Sequence, residues 1–213
     1  MKLSDLVLLI DNRERAVFSH LETEASEIKH EKRQLSIGDY AILNNSTQQI
    51  LAILERKSLQ DFAQSFKDSR HDNKQKMITA RSQFGCQLFY IIEGPPHPKP
   101  SQKFGRIPYQ YIESAIFHMQ LRDKIQIIET ANTQHTVARI VRFMKSICTL
   151  QVDEITHKET FDCNEEIDTT TADASSDFTD SIDPIDASGN SDVGAPTEEE
   201  QPPDNLKEIK NFL

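Results

Sequence analysis

Cysteine is scarce in this chain: its 213 residues hold three, Cys86, Cys148 and Cys163, with no Cys-x-x-Cys pair and no histidine partner pattern. That argues against a disulfide framework and a thiolate zinc site, and fits a reducing intracellular compartment. Long apolar runs are missing as well. Leu6 to Ile10 is preceded by Asp5 and ends in Asp11, far short of the ~20 residues of a membrane-spanning helix and unlike a secretion signal. Between Asp162 and Pro203 large apolar side chains almost vanish and Asp, Glu, Ser and Thr dominate. Such a segment buries too little surface to offset chain entropy and reads as a disordered acidic tail. Internal repeats are absent.

Basic residues are concentrated in one part. Residues 1–150 carry 21 Lys and Arg against 16 Asp and Glu, and the remainder 3 against 18, so a front part of +5 precedes a tail of −15. The whole-chain pI of about 5.2 therefore misrepresents the front part, which remains compatible with nucleic acid. The expected organisation is a domain over 1–150, an acidic disordered tail or linker over 151–205, and a short helical pattern over 206–213 (Leu206, Ile209, Phe212, Leu213) that begins a further element of a longer parent chain.

Leu6 to Ile10 is a continuous apolar run of strand length, as in a strand covered on both faces. Val17, Leu21 and Ile28 predict a helix over 16–30. Lys32 to Leu43 and Gln48 to Lys57 read as two antiparallel strands joined by the turn Asn44 to Thr47. Helices are predicted over 59–68, 74–84, 108–121 and 136–150, and strands over 87–92 and 125–128, with a proline-rich loop after Gly94. Strands alternating with helices make an α/β domain.

The chemistry concentrates at Gly38-Asp39 and Glu55-Arg56-Lys57, with Asp61 after three more residues. Side chains alternate along a strand, so Glu55 and Lys57 share one face and Arg56 takes the other. Asp39, at the opposite end of the hairpin, brings a second carboxylate beside Glu55, and two hard oxygen ligands suit Mg²⁺. Such a cation polarises a phosphodiester and lowers the pKa of water, while Lys57 positions that water or stabilises developing charge. Gly38 fits a tight turn open to a phosphate backbone, or a plain hairpin glycine. Ser58 with Asp61 forms a capping-box pattern.

These residues resemble the XPF family of structure-specific endonucleases, whose signature is G-D, a variable spacer, E-R-K, three residues and D. The likeness begins at Ile10, Asp11, Asn12, Arg13 and Glu14. Its motifs continue through Gly38 to Tyr40, Glu55 to Ser58, Asp61, Ser65 and Arg70, and on to Ile91, Ile92 and Glu93, and the resemblance as a whole covers roughly residues 5–150. It implies a restriction-endonuclease-like core with a mixed central sheet flanked by helices. Asp11, Asp39, Glu55 and the Arg56 main-chain carbonyl would bind Mg²⁺, with Mn²⁺ able to substitute, and Lys57 would be the catalytic lysine. Arg13 would hold a phosphate, and Glu14 would touch metal-bound water or orient its neighbours. Asp61 would brace its helix or bond within the site. Arg70, favoured by the resemblance, and Lys74 belong to a cluster with Lys67, Lys76 and Arg81 that would contact DNA phosphates. Family members continue into helix-hairpin-helix repeats, a pattern missing from 151–213. They also dimerise, as homodimers or heterodimers, through the last helices of the nuclease domain, here Ile112, Ile116, Phe117, Val137, Ile140, Val141 and Met144 or part of that set.

The function expected from the sequence is metal-dependent cutting of branched DNA in repair or recombination, inside the cell, in the nucleus or at a site of replication, and off the membrane. Two alternatives stand beside it: a non-catalytic scaffold that dimerises with an active partner, and a phosphodiesterase acting on a small cyclic nucleotide.

Overall fold

The computed structural model describes residues 1–65, 72–150 and 155–156. Arg70, Lys67, His71, the acidic segment 162–203 and the helical pattern of 206–213 lie outside the described residues. The first strand, β1 (Leu6–Asp11), is buried at all six positions. It is followed by α1 (Arg15–Glu24), the edge strand β2 (His30–Arg33), and the hairpin of β3 (Tyr40–Asn44) and β4 (Ile50–Ser58). Then come α2 (Leu59–Ser65), α3 (Asp72–Phe84), β5 (Gln87–Glu93), the two-residue strands β6 (Lys103–Phe104) and β7 (Ile107–Pro108), α4 (Tyr109–Leu121), β8 (Gln126–Thr130) and α5 (Thr133–Ile147).

Six strands form one mixed sheet in the order β2-β1-β3-β4-β5-β8. The β1–β3 and β3–β4 pairs are antiparallel, whereas β1–β2, β4–β5 and β5–β8 are parallel. The carboxyl ends of β1, β4, β5 and β8 therefore lie on one edge of the sheet, with Ser58 beside Glu93 and Glu93 beside Thr130. Alternation along each strand feeds two cores. Val7, Leu9, Ala41 and Ile53 pack with Phe62, Met77 and Ile112 of the helices on one face. Leu8, Ile10, Tyr40 and Leu54 pack with Val17, Leu21, Ile140 and Met144 on the other.

A bulge in the hairpin decides which face carries the chemistry. Ile42 pairs with Ala52 and Leu43 with Ile50, so Leu51 is the extra residue. Leu51 and Ala52 both turn to the α1/α5 core, and the alternation resumes with Ile53 on the α2/α3 side. Glu55 and Lys57 follow Ile53 at even spacing and take that side, leaving Arg56 to the other.

Three expectations change. The helix predicted over 16–30 ends at Glu24. Ile28 is still buried, but from a turn that brings Lys29 O to the Leu8 amide and lays His30–Arg33 along β1. The apolar spacing alone does not separate that turn from two more helical turns. The single strand expected over Lys32–Leu43 is divided for a related reason: residues 34–39 leave the sheet between β2 and β3. Helix α5 starts at Thr133 because the Asn132 side chain accepts the His135 amide (2.8 Å).

Of the residues offered as a dimer face, Ile112, Ile116, Val137, Ile140 and Met144 are core and Val141 is partly buried, which leaves Phe117 exposed. Among the described residues no helix is long and apolar enough to cross a membrane. Ile140 is fully buried, so Ile140→Ala should lower unfolding free energy by about 2–5 kcal/mol. Phe117→Ala should move it by less than about 0.5 kcal/mol. Urea denaturation of both variants checks the contrast.

Candidate active site

Two turns and one strand end build the site. At the end of β1, Asp11 Oδ1 accepts the Arg13 amide (2.9 Å) and Oδ2 accepts the Leu35 amide (2.9 Å), while the Asp11 amide donates to Asp39 O (2.9 Å). One carboxylate thus pins the turn before α1 to the segment before β3. Gly38 sits at φ +70°, and a Cβ there would meet the Leu54 carbonyl oxygen at 3.0 Å and Ile53 Cγ2 at 2.8 Å. The position needs glycine both for its conformation and for the close approach of β4. The next residue, Asp39, donates its amide to Leu54 O (2.9 Å) and accepts the Arg56 amide on Oδ2 (2.8 Å). Asp39 is thereby set against Glu55.

Asp11, Arg13, Asp39, Glu55 and Lys57 line a concavity of about 610 Å³. Lys57 Nζ lies 3.9 Å from Glu55 Oε1 and 5.8 Å from the centre of the Tyr90 ring. The structure adds residues that the sequence did not single out, Gln34 and Ser36 from the turn and Asn73 from α3, and it also brings in Lys76 of the expected phosphate-contacting cluster. Asn73 hydrogen-bonds Glu55. The spacing of 73 and 76, one helical turn, was the available signal.

Burial drives the Glu55 carboxyl up to about 7, helped by the charge of Asp39 and opposed by Lys57, Asn73 and Arg13. Asp39 is also raised, first by burial, which outweighs the Arg56 amide bond. For Asp11 burial acts upward, but the hydrogen bonds from Arg13 and Leu35 prevail and hold its carboxyl below the usual range. Neighbouring acids are therefore pushed apart, a pattern frequent at reactive sites.

Among the described residues no three acidic, histidine or cysteine side chains are gathered closely enough to hold a metal as they stand. The reason is visible in Arg13. Its Nε lies 2.6 Å from Asp11 Oδ1 and its terminal nitrogen 3.8 Å from Asp39 Oδ1, and its side chain is 74% exposed. A guanidinium stands where the carboxylates would receive a cation, held only at its polar end. Asp39 Oδ1 is free of backbone bonds, and Glu55 is an acid that burial leaves short of positive charge. Asp39 and Glu55, with Asp11 behind them, fit a hard divalent cation with several waters retained.

The other site residues divide by sheet face. Arg56 donates to Glu93 Oε2 (2.9 Å), Glu14 Oε2 (3.2 Å) and Thr133 Oγ1 (3.1 Å), and Tyr40 donates its hydroxyl to Glu14 (2.6 Å). Glu14 therefore orients its neighbours on the reverse face, and Arg56 reaches the concavity through its amide on Asp39. Asp61 braces α2: its amide donates to Ser58 Oγ (3.0 Å), which donates back to Asp61 Oδ2 (2.7 Å). It does not line the concavity. Lys74, expected on DNA, makes an ion pair with Asp123 (2.7 Å) and does not line the concavity.

The model of the ERCC4 domain family matches residues 10–143. An ERCC4 domain-containing protein of African swine fever virus, EP364R, is 38% identical over 146 residues, covering 63% of this chain and 40% of the viral protein. The same protein from a Kenyan pig isolate is 39% identical over 145 residues, covering 63% and 39%. The match thus spans about two fifths of these relatives' length. Among solved structures, XPF from Aeropyrum pernix is 25% identical with a TM-score of 0.49, covering 70% of this chain and 68% of that one. The same protein in complex with DNA is 26% identical with a TM-score of 0.49, covering 67% and 64%.

The raised Glu55 carboxyl carries a stability signature. Its folded value, about 7, lies above its ordinary 4.5. The folded state therefore binds the proton more tightly, and this contribution is complete below about pH 4.5 and lost as pH rises through about 7. Without divalent cations, Glu55→Gln should unfold later than the parent at pH 8, by on the order of 1–3 kcal/mol, and the difference should close near pH 4.5. Equal stability of the two proteins at every pH between 4.5 and 8 would contradict the assignment.

Proposed function

The chain belongs to the ERCC4-domain family of XPF-type nucleases, and we propose on that footing that it is a Mg²⁺- or Mn²⁺-dependent endonuclease cutting branched DNA in repair or recombination. The observation that carries this reading is the convergence of Asp39, Glu55 and Lys57 in one concavity. A bound divalent cation would supply Lewis-acid polarisation of the scissile phosphate and a more acidic attacking water. Asp39 Oδ1 and Glu55, with Asp11, are the ligands proposed for it.

The chain's own groups do the rest. Arg13, exposed along its length, exchanges the carboxylates for a DNA phosphate once another cation neutralises them. Lys57, beside Glu55 and against Tyr90, holds a positive charge where negative charge builds on the phosphoryl oxygens. Water oxygen bonds to phosphorus, the bond from phosphorus to the leaving sugar oxygen breaks, and the proton lost by water ends on that oxygen or in solvent. Arg56 holds Asp39 in place from behind through its amide. A scaffold that only binds a partner gains nothing from two carboxyls held above their ordinary values.

Dimerisation with a second copy or a related chain is assigned to α4, where Tyr111, Phe117 and Leu121 are exposed. Sedimentation of the purified chain as a lone monomer at micromolar concentration, with no related chain captured, would remove this part. For the catalytic part, labelled flap, fork, duplex and single-stranded DNA and a cyclic dinucleotide are incubated with the chain in Mg²⁺ or Mn²⁺. Junction-selective cutting should fall by at least ~100-fold in Asp39→Ala and in Lys57→Ala. Turnover of the cyclic dinucleotide alone would replace the DNA reading with the small-molecule one.

A further inference from the structure

A second cavity opens on the same edge of the sheet, outside the acidic concavity. It measures about 180 Å³, and its walls include Leu59, Ile92, Pro96 and Tyr109, with His135 and Glu129 supplying polar groups. Leu59 stands two residues beyond Lys57, so the two backbones are within about 7 Å. His135 Nδ1 accepts the Ala131 amide (3.1 Å), which leaves Nε2 as the donor of the neutral ring.

The chain leaves this cavity at Pro98 and returns to it at Tyr109 through the β6–β7 hairpin. The hairpin is a built element. The Tyr109 amide donates to Gln102 O (2.8 Å), the Gly105 amide donates to Gln60 Oε1 (2.8 Å), and Phe104 packs edge-on against Tyr109 at 6.2 Å. From Gly94 to Ile112 there is no Asp or Glu, yet the segment carries Lys99, Lys103 and Arg106. All three are exposed, and none has an ion-pair partner among the described residues. Arg13, Arg56, Lys57 and Lys74, by contrast, all face carboxylates.

We propose that this cavity and its hairpin form a site for one unpaired nucleotide of a single-stranded DNA arm, with the base in the cavity and the adjoining phosphates on Lys99, Lys103 and Arg106. The inference rests on the endonuclease reading and extends it to what the enzyme recognises. Apolar and aromatic walls suit a base, whose flat faces are hydrophobic. Glu129 repels phosphate from its own wall and accepts from the amino or ring N–H edge of a base, so it orients the nucleotide with its backbone toward the hairpin. A base inside a duplex is stacked and paired and does not enter such a pocket. The site therefore distinguishes an arm from a duplex, and its nearness to the end of β4 places the junction at the acidic concavity.

The test uses the full chain in EDTA, so that binding is read apart from cleavage. Fluorescence anisotropy compares a duplex bearing a single-stranded arm with the same duplex lacking it, at fixed salt. The wild type should prefer the armed duplex by about tenfold or more. Lys99→Ala/Lys103→Ala/Arg106→Ala should weaken binding and flatten its salt dependence. Ala131→Trp, which fills the cavity from an exposed position, should abolish the preference while duplex binding and thermal stability stay unchanged. An equal preference in wild type and both variants, alongside wild-type cutting of flap DNA, overturns the nucleotide site and leaves the endonuclease reading standing. Absence of any DNA binding by the wild type removes both. Unchanged DNA binding and salt dependence in the triple variant would remove the phosphates from these three cations and overturn the proposal.

Discussion

The Arg56 amide, 2.8 Å from Asp39 Oδ2, links the two halves of this domain's chemistry. It ties the segment that leads into β3 to the strand that carries Glu55 and Lys57. Its geometry depends on three further features: Gly38, whose missing side chain lets β4 approach; Asp11, which holds both turns at the sheet edge; and the Arg56 side chain, locked on the reverse face by Glu14, Glu93 and Thr133. Alternation along one strand thus gives two neighbouring residues opposite duties. Arg56 fixes the strand, and Glu55 and Lys57 are delivered to the concavity already positioned.

That arrangement is held against an electrostatic load. Asp39 and Glu55 sit close together and largely out of water, and both are less acidic than free carboxyls. The sheet around them supplies the compensating stability, since Leu8, Ile10, Ile42, Ile53 and Leu54 are all fully buried. Arg13 relieves part of the load without burying its own charge, because its exposed side chain reaches in from solvent. Concentrating unfavourable charge in one rigid place is a recurrent mark of sites that act on a polyanion through a cation.

Much of this was legible beforehand, for identifiable reasons. Leu6 to Ile10 read as a buried strand because no polar residue interrupts it, and the hairpin was marked by the turn residues Asn44 to Thr47. Asp39, Glu55 and Lys57 were recognisable from spacing and strand alternation, and they do line one cavity. The helix after β1 was overextended because Ile28 satisfies a helical spacing from within a turn. The ion pair of Lys74 with Asp123 was not legible, because its partner is 49 residues away and no local pattern encodes the pairing. Asn73 escaped notice because a polar helix face looks the same in sequence whether it borders solvent or an acidic cavity.

The sequence by itself determined the family signature and the alternation that separates Arg56 from Glu55 and Lys57, since both are carried by residue type and spacing along the chain. Tertiary structure alone decided the rest. The extra residue Leu51 sets which core the face carrying Glu55 and Lys57 adjoins. The parallel registers of β4, β5 and β8 bring Lys57, Glu93 and Thr130 to one edge. Burial in a shared concavity moves the acids away from their ordinary pKa values. Strand register and desolvation are set by partners far apart in sequence, whose closeness exists only after the sheet has formed.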